Sequence, residues 1–388
     1  MITKMSLSAL WLIPLFFLGF ISCENANPDK ITNFEELSEP EVYSLTLIAA
    51  GDNILHDSIR DTHKQGSTYN FTPIYSEVKS LIEAADLAFI NQETVMAGES
   101  YGYHDYPRFN TPQSLAKTLA DTGFDIVNLA NNHAFDMGRA GLHATLDFID
   151  TINGLTVIGA RKTGENACII TKNNITLGFL AYTYWLNGFS LPADEPNLVS
   201  LINREKMSEE INALRPLCDF LIVSLHSGAE YRMEPEEAKI NLARFLAEQN
   251  VDLIIGHHPH VLQRVEKLSR PDGKETVCFY SLGNFLSHQR TKEKVLGALM
   301  LVTFTKEGED FYISDSGIIP TICHFEQGFR NTKIYPLYVY TEELLEKHWC
   351  RARDKGMDFG YFDSVLNNLG TKLIMSPPQE WITAGISP

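Results

Sequence analysis

An α/β fold, with two sheets stacked between helical layers, is the class this chain predicts, and three observations predict it. Apolar strand-like runs rich in Val, Ile and Leu recur at Ser44–Ala50, Asp86–Ile90, Phe124–Ala130, Asp219–Leu225 and Val251–Gly256. Helical patterns alternate with them, an order that implies βαβ crossovers and a largely buried sheet. Further strand-like runs at Leu155–Gly159, Ile175–Tyr184, Thr276–Ser281 and Ala298–Phe304 call for more than one sheet. Strand order does not follow from these patterns. A length of 388 residues leaves ample capacity for a core.

The first 22 residues read as a targeting segment. Lys4 gives a positive start, and the apolar stretch Ala9–Ile21 is interrupted by Pro14. That stretch is shorter than the ~20 apolar residues a spanning helix needs, so a signal peptide is expected rather than a transmembrane anchor. Ser22-Cys23 at its end resembles a bacterial lipobox, in which Cys23 is lipidated and becomes the mature N-terminus. The expected location is therefore the cell envelope, outside the cytoplasm, with the chain lipid-anchored to a bacterial membrane through Cys23. Ordinary secretion with a coincidental Cys is the alternative. Residues 23–41 are polar and acidic, contain Pro28 and Pro40, and read as a flexible tether.

The main domain is expected over residues 42–310. Its candidate helices are Pro73–Ala85, Pro112–Thr122, Arg139–Ile152, Asn203–Leu214 and Pro235–Gln249; three open on Pro, which suits a first helical turn. After Thr305 the pattern weakens. Ile334–Tyr340 is strand-like, Glu342–Arg353 reads as an exposed helix of mixed charge, and residues 311–388 are expected as a C-terminal extension packed on the domain. Cys168, Cys218, Cys278, Cys323 and Cys350 form no CxxC pair, which indicates neither a disulfide framework nor a thiolate metal site. The first three of these adjoin apolar runs and read as inert core residues.

A formal net charge of −17 argues against nucleic acid as a partner, because phosphates demand a basic face. The same charge sits poorly with a polyanionic substrate unless metal ions offset it locally.

Polar motifs stand where the strand-like runs end: Gly51-Asp52, Asn91-Gln92-Glu93, Asn131-Asn132-His133, His226-Ser227-Gly228-Ala229-Glu230 and Gly256-His257-His258-Pro259-His260. Carboxylate, amide oxygen and imidazole are ligands for hard and borderline divalent metals. In an open α/β sheet the carboxyl edge is where ligands bind, so the motifs predict one shared, metal-centred pocket.

Asp52 can be presented by a tight turn, though turn aspartates are common; His56-Asp57 offers a further ligand pair or a polar surface. Glu93 can bridge two metals through its two oxygens or serve as a loop acid. Asn132 offers an amide oxygen, and His133 can donate a proton to a leaving group. Asp136 is placed to fix the tautomer of His133. His226 gains weight only from its company. Three imidazoles in four residues are hard to explain without a metal, and the spacing of His258 and His260 lets alternate side chains converge. Spacing does not decide which of His257, His258 and His260 ligate. Ser281–Phe285 shapes the pocket floor or is a plain strand-to-turn transition. His63, His104, His143, His288, His324 and His348 lack supporting neighbours and read as surface or core residues.

Taken in order, GD, NxE, NNHxxDxG, HxGxEY, GHHPHV and SLGNF resemble the CapA family of capsule and poly-γ-glutamate synthesis proteins over roughly residues 45–305. That resemblance implies a four-layer αββα sandwich like that of calcineurin-type metallophosphoesterases, with a two-metal site. It implies Asp52, Glu93, Asn132, His226, His258 and His260 as metal ligands and His133 as proton donor. Two positions depart from the pattern. Ile54 stands where the phosphoesterases have a His two residues after the first Asp, and Ser227 stands where the family usually has an aromatic residue.

The expected activity is metal-dependent hydrolysis with two divalent ions, Mn, Zn or Fe. The expected substrate is an anionic envelope polymer or a phosphoester. Two alternatives remain: a non-catalytic component of a polymer synthesis or export complex, and a generic phosphoesterase.

Overall fold

The computed structural model describes residues 41–163 and 167–383. The expected signal peptide, Cys23 and all of the tether but Glu41 lie outside the described residues. Among the described residues no helix is long and apolar enough to cross a membrane.

Two sheets face each other. The larger has nine strands, seven of them in the order Arg330–Pro336, Asp310–Glu326, Leu296–Glu307, Val42–Asn53, Leu87–Gln92, Ile126–Asn128, Thr156–Ile158. From Val42–Asn53 to Thr156–Ile158 the pairing is parallel, and Val42–Asn53 is antiparallel to Leu296–Glu307. The smaller sheet runs Leu262–Ser269, Glu275–Leu282, Leu253–His257, Phe220–His226, Ile175–Thr183, Cys168–Lys172, with four central parallel strands.

Alternation along Phe220–His226 shows how the layers form. Phe220 and Ile222 point into the core shared with the larger sheet, while Leu221, Val223 and Leu225 pack with Met207, Ile211, Leu214, Leu242 and Leu246. Those partners come from the helices Arg204–Leu214 and Glu237–Glu248. A strand covered on both faces is apolar at most positions, which is why DFLIVSL shows no polar alternation, Ser224 being its one polar residue between Phe220 and Leu225. On the far side, Leu115, Leu119, Leu142 and Leu146 of the helices Ser114–Thr122 and Gly138–Ile149 join the large core. The result is the αββα sandwich. Asn203 caps its helix as a polar residue before an apolar run should, its Oδ1 accepting from Lys206 N at 3.0 Å.

Several expectations change. Pro73–Ala85 is two short helices, Thr72–Tyr75 and Lys79–Ala84, because the break lets Ile74 and Tyr75 bury alongside Leu81 and Ile82. Tyr75 then donates from its hydroxyl to Asn53 Oδ1 at 2.9 Å. The segment after residue 310 does more than pack on the domain: residues 310–322 pair with Leu296–Glu307, and residues 321–326 with Arg330–Pro336, so the larger sheet continues through it. The Glu342–Arg353 segment breaks into Glu342–Lys347 and Trp349–Arg353, with His348 fully buried at the joint. Cys278 is buried, whereas Cys168 and Cys218 are only half-buried.

Candidate metal centre

The carboxyl ends of the parallel strands of both sheets meet at one place. Val42–Asn53 delivers Asp52, Leu87–Gln92 delivers Asn91 and then Glu93, and the loop after Ile126–Asn128 carries Asn132 and His133. From the smaller sheet, Phe220–His226 ends on His226 and Leu253–His257 leads into His258 and His260. Gly51 makes the first delivery possible. Asp52 N donates to Gly283 O at 2.9 Å, and a Cβ on Gly51 would lie 2.1 Å from that oxygen. The triple-histidine turn is also special, since His258 and His260 hold φ of +93° and +59°. Such left-handed backbone costs of order 1–3 kcal/mol for a residue with a Cβ and clusters at functional sites.

The six residues expected as ligands come together. His226 Nε2 lies 2.7 Å from Asn132 Oδ1, 3.2 Å from His258 Nδ1 and 3.7 Å from Glu93 Oε1. On the other side, Asp52 Oδ2 lies 3.0 Å from His260 Nδ1, and His260 Nε2 lies 3.8 Å from Glu93 Oε1. Two groups therefore share Glu93: Glu93, His226 and His258, and Asp52, Glu93 and His260. Asn91 Nδ2 donates to Asp52 Oδ1 at 2.8 Å and holds that carboxylate in place. His257 stays in the strand, its ring stacked on Phe89 and its Nδ1 3.5 Å from Asp52 Oδ1. Exposed Glu230 lies within reach of His258 and His260.

The electrostatics suit a cation. Burial pushes the Asp52 carboxyl up, but His257 and His260 beside it prevail and hold it well below the usual carboxylate range. Burial, followed by the charge of Asp52, pushes Glu93 well above that range. Burial and the neighbouring imidazoles pull His226 well down and His258 down to about 3. These imidazoles are neutral at physiological pH, so their lone pairs are free to ligate. Both Glu93 oxygens are buried without a hydrogen-bond partner among the described residues. A buried carboxylate left in that state is costly, and a bound divalent ion would offset it. The donor set of carboxylates, amide oxygen and imidazoles fits a divalent metal ion.

Beside this centre, His133 Nδ1 lies 2.7 Å from Asp136 Oδ2, and the same oxygen accepts from Phe109 N at 2.7 Å. The carboxylate is thus anchored to the backbone while it orients the ring. His56 falls in neither of the two groups that share Glu93. Its Nδ1 is 2.8 Å from Asp105 Oδ1, and its ring stacks on His288 with centroids 3.5 Å apart at 3°. His288, expected as an isolated histidine, is therefore a close neighbour of His56; a separation of 232 residues hid the pair. Lone pairs lying in parallel planes do not converge on one point, so this stack is a poor chelate.

Two residues beside the centre belong to none of the polar motifs, Tyr184 and Asn187, and neither does Asp105, the partner of His56. Tyr184 and Asn187 follow the strand Ile175–Thr183 in an ordinary loop of mixed residues. A polar residue immediately beyond that strand was the one available hint.

Residues 46–289 match the profile of the family described as bacterial capsule synthesis protein PGA_cap. The PGA biosynthesis protein CapA of Bacillus subtilis (strain 168) is 31% identical over 297 residues, which cover 73% of this chain and 74% of that protein. The capsule biosynthesis protein CapA of Bacillus anthracis is 26% identical over 269 residues, covering 65% of this chain and 62% of that one. Among solved structures, a phosphatase from Mycoplasma pneumoniae aligns with a TM-score of 0.46 and 16% identity over 73% of this chain and 95% of its own. A 5'-nucleotidase precursor from Thermus thermophilus aligns with a TM-score of 0.47 and 16% identity over 72% of this chain and 54% of its own.

Proposed function

This chain belongs to the bacterial capsule synthesis protein family, and on that premise we propose that it serves the synthesis or export of an anionic envelope polymer of the poly-γ-glutamate type as a metal-dependent hydrolase. The observation that carries the chemistry is Glu93, a buried carboxylate with both oxygens unpartnered, set between His226 and His260. Glu93, Asn132, His226 and His258 would hold one divalent ion, and Asp52, Glu93 and His260 the other. Bound there, the ions would supply Lewis-acid polarisation of an ester or amide oxygen and a lowered pKa for water. His133 would protonate the leaving group, and Asp136 would keep its ring aimed. The substrate would be the polymer itself or a phosphoester, reached outside the cytoplasm by a chain anchored through lipidated Cys23.

The test measures metal in the full chain beside an Asp52→Ala/His258→Ala variant, together with hydrolysis of polyglutamate and phosphoester substrates. Stoichiometric Mn or Zn, lost in the variant, with turnover of either substrate, is the expected result. No metal after supplementation would overturn the reading.

One observation favours a second reading, a non-catalytic component of a polymer export complex. Ile54 is buried and apolar where the phosphoesterase pattern has a ligand, and His56, its Nδ1 bound to Asp105, falls in neither group that shares Glu93. On that reading, cells carrying the Asp52→Ala/His258→Ala chain keep their surface polymer. Turnover of generic phosphoesters with unchanged polymer would instead mark a phosphoesterase unrelated to capsule.

A further inference from the structure

We propose that Tyr184 and Asn187 are positioning residues for one of the two metal positions, the one bounded by Glu93, Asn132, His226 and His258. The assignment rests on the metal-dependent reading above. It divides a centre that the sequence presents as a single cluster into two halves with different supports.

The strand Ile175–Thr183 runs beside Phe220–His226 in register, Thr183 opposite His226. The chain then crosses the mouth of the centre. Tyr184 N donates to His226 O at 3.2 Å, and the Tyr184 hydroxyl lies 3.1 Å from His258 Nε2. Three residues on, Asn187 Oδ1 accepts from Asn132 Nδ2 at 3.1 Å, and Asn187 Nδ2 lies 3.2 Å from His133 Nδ1. One four-residue segment thus touches three of the four groups around this position and the proposed proton donor as well. The other half draws on other residues, with Asn91 common to both because its Nδ2 also lies 3.4 Å from His226 Nδ1. Asp52 is held by Asn91 and the His258 backbone N–H.

Each contact fixes a choice that the ligand cannot make alone. His258 Nδ1 faces His226 Nε2, so Nδ1 looks into the centre and Nε2 looks out toward Tyr184. With the hydroxyl oxygen as acceptor, the ring proton stays on Nε2 and the lone pair stays on Nδ1, where a metal would use it. The Asn132 amide has one oxygen that can ligate and one nitrogen that cannot. By accepting from Nδ2, Asn187 holds the flip that turns Oδ1 toward His226. Asn187 reaches this place with φ of +49°, a left-handed conformation that Asn tolerates better than most residues.

The test titrates the full chain, freed of metal with a chelator, with Mn²⁺ alone. It reads stoichiometry, affinity and the electron paramagnetic resonance signal, which distinguishes a coupled pair from a single ion. Tyr184→Phe removes only the hydroxyl. Asn187→Gly removes the amide while keeping the left-handed backbone available. The wild type should take up two ions. Each variant should bind one with unchanged affinity and the other ~10–100-fold more weakly, the usual cost of losing a ligand's outer partner. The paired signal should give way to that of a single ion, and the unfolding midpoint of the metal-free protein should not move. If both ions keep wild-type affinity in both variants, or if both weaken together, the assignment is overturned while the metal reading stands. A wild type that takes up no Mn²⁺ overturns both.

Discussion

Glu93 Oε1 lies 3.7 Å from His226 Nε2, and neither oxygen of this buried carboxylate has a hydrogen-bond partner among the described residues. Burial and the charge of Asp52 raise its pKa well above the ordinary value. For a raised carboxyl, the contribution to stability is present at low pH and lost as pH rises, so at pH 8 the metal-free protein carries a penalty. Glu93→Gln should therefore stabilise the metal-free chain at pH 8 by roughly 1–3 kcal/mol. Added Mn²⁺ should raise the unfolding temperature of the wild type and leave the variant where it was. A metal-free variant less stable than the wild type would refute this account of Glu93.

His133 sits beside the centre rather than in either ligand group, with Asp136 Oδ2 at 2.7 Å from its Nδ1. His133→Ala should lower turnover ~10²–10⁴-fold, the usual contribution of a general acid, with metal content unchanged. Elemental analysis and initial rates on the same samples check this. Simultaneous loss of metal would show that His133 supports the ligands instead.

Gly51 lets Val42–Asn53 approach the Gly283 carbonyl, and a Cβ there would meet that oxygen at 2.1 Å. Both partners are backbone, so relief requires the strand to shift and Asp52 to shift with it. Gly51→Ala should cost ~1–3 kcal/mol or more, as overpacking of a dense core does. It should also weaken metal uptake, although residue 51 offers no ligand. Urea unfolding and metal titration report the two effects, and an unmoved midpoint would contradict the close approach.

Two histidines far from the centre set an acid limit on stability. His348 Nδ1 accepts from Cys350 N at 3.0 Å, and its Nε2 lies 3.1 Å from Cys323 O, an arrangement made for the neutral ring. Burial pulls His348 down to about 3 and His324 down to about 4, from 6.5. Below pH 6.5 the unfolded chain takes up protons that the folded one refuses. Stability is therefore complete above that value and falls as pH drops toward 4. The loss between pH 7 and pH 5 is about 2 kcal/mol per histidine, and His348→Gln should remove one such share. Parallel wild-type and variant curves of unfolding free energy against pH would disprove it.

The strands that deliver the centre's residues and the four longest helices were legible because each is a local pattern, whereas the edge strands Cys168–Lys172 and Leu262–Ser269 gave no such pattern. A fully buried strand such as Phe220–His226 shows as an apolar run broken only by Ser224 before its terminal His, and Asn203 marks a helix start by its own hydrogen bond. The break within Pro73–Ala85 has no local signal; it accompanies the burial of Tyr75, whose hydroxyl donates to Asn53 Oδ1 in the tertiary core. The tail after residue 310 was underread for the same reason. Asp310–Glu326 carries exposed polar residues over its first half, which masks a strand that pairs from Asp310 to Ile322 with its neighbour.

By itself, the sequence determined that carboxylates, an amide and imidazoles stand at the ends of apolar strands, because chain order and alternation place them there. Tertiary structure alone decided which atoms meet: that His226 Nε2 faces Asn132 across 94 residues, that Glu93 lies between two imidazoles, and that His56 Nδ1 meets Asp105. It also decided that Tyr184 and Asn187 belong to the centre at all. The physical reason is range. Periodicity and capping act over a few residues, whereas a ligand set requires ångström-scale convergence of side chains from two sheets, and only their packing supplies it.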